Sequence, residues 1–220
     1  MGEENLYKHV GEFIKKELGC FAVDYKKGTQ FGMIDVIGLR YVMGDYGGST
    51  ELVAVEVKPE EATFLKSLGQ ASAYSVMADR CYLAIHKRYG RPFTQEEKDV
   101  VAKLNVGLIE IGKQKSCKVI ASSPQHYPIQ AHKLHLIRKM GYVECRICGL
   151  FFLHHGMRSL RERSNIVNAI REEKPFRYWL MKFGAEREEA KKGGGRKDIH
   201  DRRYICQDCV QVFSGLVPRK

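Results

Sequence analysis

No apolar run in this chain reaches the roughly 18 residues that a bilayer-spanning helix requires. The opening residues, MGEENLYKHV, hold no basic segment followed by an apolar one, so no secretion signal is read there. Both absences lead to the expectation of a soluble, cytoplasmic protein with no membrane partner. No internal repeat is present beyond two C-x2-C pairs, so the chain is not read as a repeat array. An excess of either charge is missing from the first part: residues 1–128 hold 17 Lys and Arg against 16 Asp and Glu. Residues 129–220 hold 20 against 10, so the net charge of +11 belongs almost wholly to the C-terminal part. A concentrated positive field attracts polyanions and steers them in. A well-solvated surface is the plain alternative, but confinement of the excess to one segment favours nucleic acid.

The chain has 220 residues, enough for one generous domain or two small ones. Its 44% hydrophobic and 29% charged residues are values of a globular protein. Residues 3–18 predict an amphipathic helix, with Leu6, Val10, Phe13, Ile14 and Glu17 on one side. Strands are predicted at 20–26, 31–42 and 51–58, with GDYGGST as a loop between the last two. Pro59 ends the third strand, and a helix is expected through about Asp79, its inner stripe Phe64, Leu65, Leu68, Ala71 and Ser75. CYLAIH (81–86) predicts a buried strand, and Thr94 with Glu97 a capping box that opens a helix to about Leu104. GLIEI (107–111) is a further strand, with CKVIAS beside it. This order predicts an α/β fold, a mixed sheet with helices on both faces. SSPQHYP reads as a linker, so the expected division is residues 1–122, a linker over 123–131, and a second domain over 132–220.

Three residues stand out in the first part. Asp35 lies in GMIDVIG, and Glu56 and Lys58 lie two apart at the end of the next strand. Residues two apart on a strand point to one face, and a hairpin places Asp35 beside them. Two carboxylates at a strand end suit Mg²⁺ or Mn²⁺, and a nearby ammonium can orient water or stabilise phosphate charge. Each feature alone has a bland explanation, a turn aspartate or a solvated strand face. Glu56, however, sits in the apolar strand LVAVEV, where an unpaired carboxylate is costly.

This arrangement resembles the PD-(D/E)xK nuclease superfamily, which includes restriction enzymes, archaeal Holliday-junction resolvases and RecB-like nucleases. Glu56-Val57-Lys58 stands where that family has E-x-K, and Asp35 where it has its aspartate. LGQASAY, with Gln70 and Tyr74 one turn apart, is similar to the Q-x-x-x-Y motif of the RecB-like members. The resemblance covers roughly residues 1–120. The family's first helix often supplies another acidic residue, for which Glu3 is the candidate, with Glu4 and Glu17 as rivals. The proline before the aspartate is absent, and Ile34 stands there. The resemblance implies a restriction-endonuclease-like fold. It further implies one or two Mg²⁺ held by Asp35, Glu56 and the Val57 carbonyl, with Lys58 acting on water or phosphate. Many enzymes of this group act as dimers, so a homodimer is an expectation of the same kind.

Of seven cysteines, Cys20, Cys81 and Cys117 stand alone and are expected to be small buried hydrophobes. Cys145, Cys148, Cys206 and Cys209 form two C-x2-C pairs, the set of a tetrahedral structural Zn²⁺ site. A redox pair lacks a thioredoxin-like context, and His154 and His155 are rival ligands. Between the pairs lies a basic segment of expected helices at 157–172 and 176–192, including Arg158, Arg161, Arg163, Lys191, Lys192, Arg196, Lys197, Arg202 and Arg203. These residues are expected to contact phosphates, on a small, mainly helical zinc-binding domain. The expected function is therefore metal-dependent cleavage of duplex or branched DNA. An inactive DNA-binding module, an RNA-directed nuclease and a zinc module that binds protein are the rivals.

Overall fold

The computed structural model describes residues 4–44, 47–60, 62–87, 89–145, 150–153, 158–159 and 204–205. The chain divides into two compact units, Met1–Gly141 and Tyr142–Lys220.

The first unit opens with α1 (Glu4–Glu17). Its inner stripe is Leu6, Tyr7, Val10 and Ile14, all buried. Gly19 follows at φ +70, a left-handed conformation that stops the helix cheaply only at glycine. Strands β1 (Cys20–Thr29), β2 (Gly32–Gly44) and β3 (Gly47–Pro59) form two successive antiparallel pairings. The loop expected at 44–50 is shorter than its composition suggested, because the β2–β3 ladder continues to Gly44↔Gly47. A side chain on Gly28 would collide with the Gly32 carbonyl across the β1–β2 hairpin, so this tip needs glycine.

Helix α2 (Phe64–Ala73) and a single 3-10 turn, Tyr74–Val76, lead to β4 (Arg80–His86). The predicted helix to Asp79 is thus cut short: Met77 and Ala78 both donate to the Tyr74 carbonyl, tightening the chain before β4. Leu65, expected inside, is 64% exposed; Ser67, Leu68 and Ala71 form the inner face instead. Thr94 and Glu97 make the expected capping box at the start of α3 (Gln95–Lys103). Strands β5 (Gly107–Ile111) and β6 (Cys117–Ala121) complete a six-stranded sheet in the order β1-β2-β3-β4-β5-β6. β3, β4 and β5 run parallel and the outer pairs antiparallel. The fold of this unit is α/β, a mixed sheet flanked by helices.

Each face of the sheet carries its own core. Val53, Val55 and Val57 pack with Tyr82 and Ala84 under α1, while Leu83 and Ile85 pack with Leu68, Ala71 and Val101 under α2 and α3. Registered residues of parallel strands point to one side, so Glu56, paired with Leu83, and Lys58, paired with Ile85, lie on the α2 side. Cys20 and Cys81 are buried and Cys117 is partly buried, and burial pushes their thiols up, Cys20 to about 12 and Cys117 to about 11. Raised thiol pKa values disfavour the reactive thiolate; Cys20 and Cys81 are buried as expected, while Cys117 is only partly so.

The domain boundary is later than expected. Residues 123–131 do not hang free: Ser123 Oγ accepts from the Cys81 N–H, His126 N–H bonds to the Asp79 carbonyl, and Ile129 N–H to the Val76 carbonyl. Helix α4 (Gln130–Lys139) then docks through Lys133, whose ammonium lies 2.8 Å from Asp79 and 2.7 Å from the Thr50 carbonyl. The boundary falls after Gly141 because these buried polar bonds tie α4 to the first unit.

A second clamp lies at the start of β3. The buried Glu51 carboxylate takes hydrogen bonds from Arg40 and Arg80 at 2.5 to 3.1 Å, and Arg80 also holds the Ser123 carbonyl. Burial alone would raise the Glu51 pKa, but the two guanidiniums outweigh it and hold it below the usual range. A carboxylate with a depressed folded pKa contributes stability above its unfolded value, about 4.3. That stability is lost as pH falls through the folded value. Urea unfolding should therefore show Glu51→Gln less stable than wild type at about pH 7, with the gap closing as pH falls below about 4.3 and through the depressed folded value. A gap independent of pH would show that the charge of Glu51 is not the source.

The second unit is described only in parts. Strands β7 (Tyr142–Glu144) and β8 (Phe151–Leu153) form an antiparallel pair, and β9 (Arg158–Ser159) pairs with β10 (Tyr204–Ile205). The helices expected at 157–172 and 176–192 lie outside the described residues. No helix among the described residues is long and apolar enough to cross a membrane.

Candidate active site

The β2–β3 ladder begins at Val36↔Val55, and the next inward donor of β3, the Val57 N–H, is taken by a side chain. Asp35 Oδ2 accepts that N–H at 3.0 Å, so its carboxylate stands in for a strand carbonyl. Asp35 Oδ1 accepts from the Tyr7 hydroxyl of α1 at 3.0 Å. Glu56, only 2% exposed, accepts from the Tyr74 hydroxyl and pairs with the Lys58 ammonium at 2.9 Å. The Tyr74 hydroxyl also lies 2.6 Å from the Met33 carbonyl. Asp35, Glu56 and Lys58 are thus gathered as the hairpin argument required, and Tyr74 joins them.

Burial pushes the Glu56 carboxyl above its ordinary range; the Tyr74 and Lys58 hydrogen bonds pull it back, and the neighbouring Asp35 charge pushes it further up. Burial, and then Glu56 and Asp35, push the Tyr74 phenol upward, so it remains a protonated donor. The Asp35 and Glu56 carboxylates are therefore electrostatic neighbours in a desolvated place, and Glu56 is paired with the Lys58 ammonium. Each carboxylate oxygen has two lone pairs, so each keeps acceptor capacity beyond the one contact named for it. This donor set fits Mg²⁺ or Mn²⁺, hard ions often held by one or two carboxylates, with water and substrate phosphate completing the shell. Among the described residues no cluster of three or more His, Cys, Asp or Glu is gathered for a metal. A cation here would have only the carboxylate pair as charged ligands.

The other expected site residues divide. Gln70 is exposed one turn before Tyr74, which the 3-10 turn carries inward. Glu17 is exposed at the far end of α1 beside Lys16, away from the inner stripe on which it was expected. Glu3 lies outside the described residues, and Glu4 begins α1. Tyr7 was missed. Its spacing to Val10 and Ile14 marked it as an inward residue, but nothing local said that its hydroxyl would meet a carboxylate 28 positions away.

In the second unit, Cys145 is buried directly after β7, and its N–H bonds back to the Leu150 carbonyl at 2.8 Å. Cys145 therefore stands between the paired strands β7 and β8, at the end of β7. Cys206 directly follows β10, and β10 lies beside β7. Cys148, Cys206, Cys209, His154 and His155 lie outside the described residues. So do Arg161, Arg163, Lys191, Lys192, Arg196, Lys197, Arg202 and Arg203; Arg158 is placed in β9.

No family model matches the chain and no curated protein matches it. Among solved structures it is similar to a protein of unknown function from Silicibacter pomeroyi. That likeness has 16% identity and a TM-score of 0.44, and covers 64% of this chain and 84% of the other. At that level it adds nothing to an argument about function.

Proposed function

We propose that the first unit is a Mg²⁺- or Mn²⁺-dependent nuclease of restriction-endonuclease-like fold that hydrolyses DNA phosphodiester bonds. The observation that carries this reading is the meeting of Asp35, Glu56 and Lys58 where the β2–β3 ladder ends. A divalent cation held by Asp35 and Glu56, with the Val57 carbonyl beside them, would acidify water and neutralise phosphate charge. Tyr7 and Tyr74 fix the two carboxylates through their hydroxyls. Lys58 orients water or stabilises the charge that develops on the phosphate. The second unit is read as a basic four-cysteine Zn²⁺ module, formed by Cys145, Cys148, Cys206 and Cys209, that grips duplex or branched DNA. The adjacency of β7 and β10, each followed by one C-x2-C pair, supports that reading.

The test combines cleavage with cation binding. Purified protein is incubated with supercoiled plasmid, linear duplex, single-stranded, four-way-junction DNA and RNA, each with Mg²⁺, Mn²⁺ or EDTA. Cation-dependent breakage of DNA is the expected result; breakage of RNA alone would replace the substrate. Salt-sensitive binding of DNA with no cutting would replace the enzyme with a DNA-binding module. In a thermal unfolding series, Mg²⁺ at about a hundred times its Kd should stabilise the protein by ~2.7 kcal/mol. That gain should vanish in Glu56→Gln. An equal gain in both proteins would place the cation elsewhere.

A further inference from the structure

We infer that the first unit carries its own groove for nucleic-acid phosphates, between the tip of the β1–β2 hairpin and helix α4, leading into the acidic centre. The inference deepens the nuclease reading and rests on it for the direction of the strand. The groove has a volume of about 620 Å³ and is lined by Lys26, Lys27, Lys139, His132, His135 and Met33. Three lysines and two histidines thus line one groove in a part of the chain whose overall charge is nearly balanced. Asp24, paired with Lys27 at 3.1 Å, offsets one of them. Lys139 also holds the Gly28 carbonyl at 2.6 Å, which ties α4 to the hairpin tip and fixes the groove's width.

Two links connect the groove to the acidic centre. Met33 lines the groove, and its carbonyl meets the Tyr74 hydroxyl that donates to Glu56. Lys26 holds a left-handed φ of 50 in the strand position opposite Asp35. Its ammonium lies 5.4 Å from the centre of the Tyr7 ring, whose hydroxyl donates to Asp35. A side chain other than glycine in that conformation is a local cost, and such costs gather at binding sites. At the lip, Phe31 is 51% and Met33 56% exposed, and Phe31 meets the His132 ring edge-on at 4.8 Å. Cations along a groove with an exposed aromatic ring at its lip suit a nucleic-acid strand, whose phosphates and bases take these two kinds of contact. An acidic peptide would use the cations and leave the ring idle.

Binding is measured on the full chain in EDTA, by fluorescence anisotropy with labelled single-stranded and duplex DNA over a salt series. Lys27→Gln with Lys139→Gln is expected to weaken binding about tenfold and to reduce the salt slope by roughly one per lysine removed. Lys27→Gln alone leaves the Lys139–Gly28 bond in place and should show half of that change in slope. Phe31→Ala should weaken binding to single-stranded DNA without changing the slope. Unchanged affinity and slope in both lysine variants would overturn the groove, and so would displacement of the DNA from it by equimolar polyglutamate. Groove-dependent binding in a protein that never cuts would remove the nuclease reading and keep the groove. Normal cutting with unaffected binding would do the reverse.

Discussion

Asp35→Asn is expected to lower cation-dependent DNA cleavage by on the order of 10³-fold or more, because in the proposed nuclease it would remove a charged ligand worth several kcal/mol in the transition state. The fold should survive. Asparagine keeps an oxygen for the Val57 N–H or for the Tyr7 hydroxyl, the two donors that Asp35 accepts from. Tyr7→Phe supplies the graded comparison. It removes only the hydrogen bond that orients Asp35, so the loss should be about two- to tenfold. Initial rates on plasmid DNA, with melting temperatures for each variant, decide the matter. If Asp35→Asn retained a third of the wild-type rate, the carboxylate pair would not be the catalytic centre. If Tyr7→Phe fell as far as Asp35→Asn, Tyr7 would itself touch the reacting groups.

Lys133→Met is expected to destabilise the first unit by about 3 to 5 kcal/mol, the usual cost of removing one partner from a buried ion pair. Asp79 would keep its hydrogen bond to the Leu52 N–H at 2.6 Å but lose the ammonium that neutralises it in a buried place. The Thr50 carbonyl would lose its partner as well. In urea unfolding the midpoint should fall accordingly, with a melting temperature lower by about 10 °C. Lys66→Met, on the exposed face of α2, is the control and should stay within about 0.5 kcal/mol of wild type. A loss below about 1 kcal/mol in Lys133→Met would mean that the pair is not closed in solution.

Much of the first unit was legible because its signals are local. Apolar runs marked β3 and β4, Pro59 marked the end of β3, and the Thr94–Glu97 box marked the start of α3. The three charged residues of the centre were legible too, since a Glu and a Lys two apart on a strand must share a face. What was illegible depends on partners far along the chain. Gln70 and Tyr74 were read as one helical face, but the helix tightens into a 3-10 turn that carries Tyr74 inward and leaves Gln70 exposed. SSPQHYP has the composition of a linker, yet Ser123 and His126 are hydrogen-bonded to residues more than 40 positions earlier. The basic groove was invisible for the same reason, since Lys26 and Lys139 are more than 100 residues apart.

Periodicity, turn residues and charge placement determined which segments become helices and strands, and which strand carries a glutamate and a lysine on one side. Those are properties of neighbours in sequence, and short-range sterics and burial decide them. Only the tertiary structure decided where Asp35 lodges its carboxylate, that Tyr7 and Tyr74 hold the pair, where the first unit ends, and that α4 closes a cationic groove. Each of these depends on a hydrogen bond or charge contact made across the fold, and such contacts leave no local pattern in the chain.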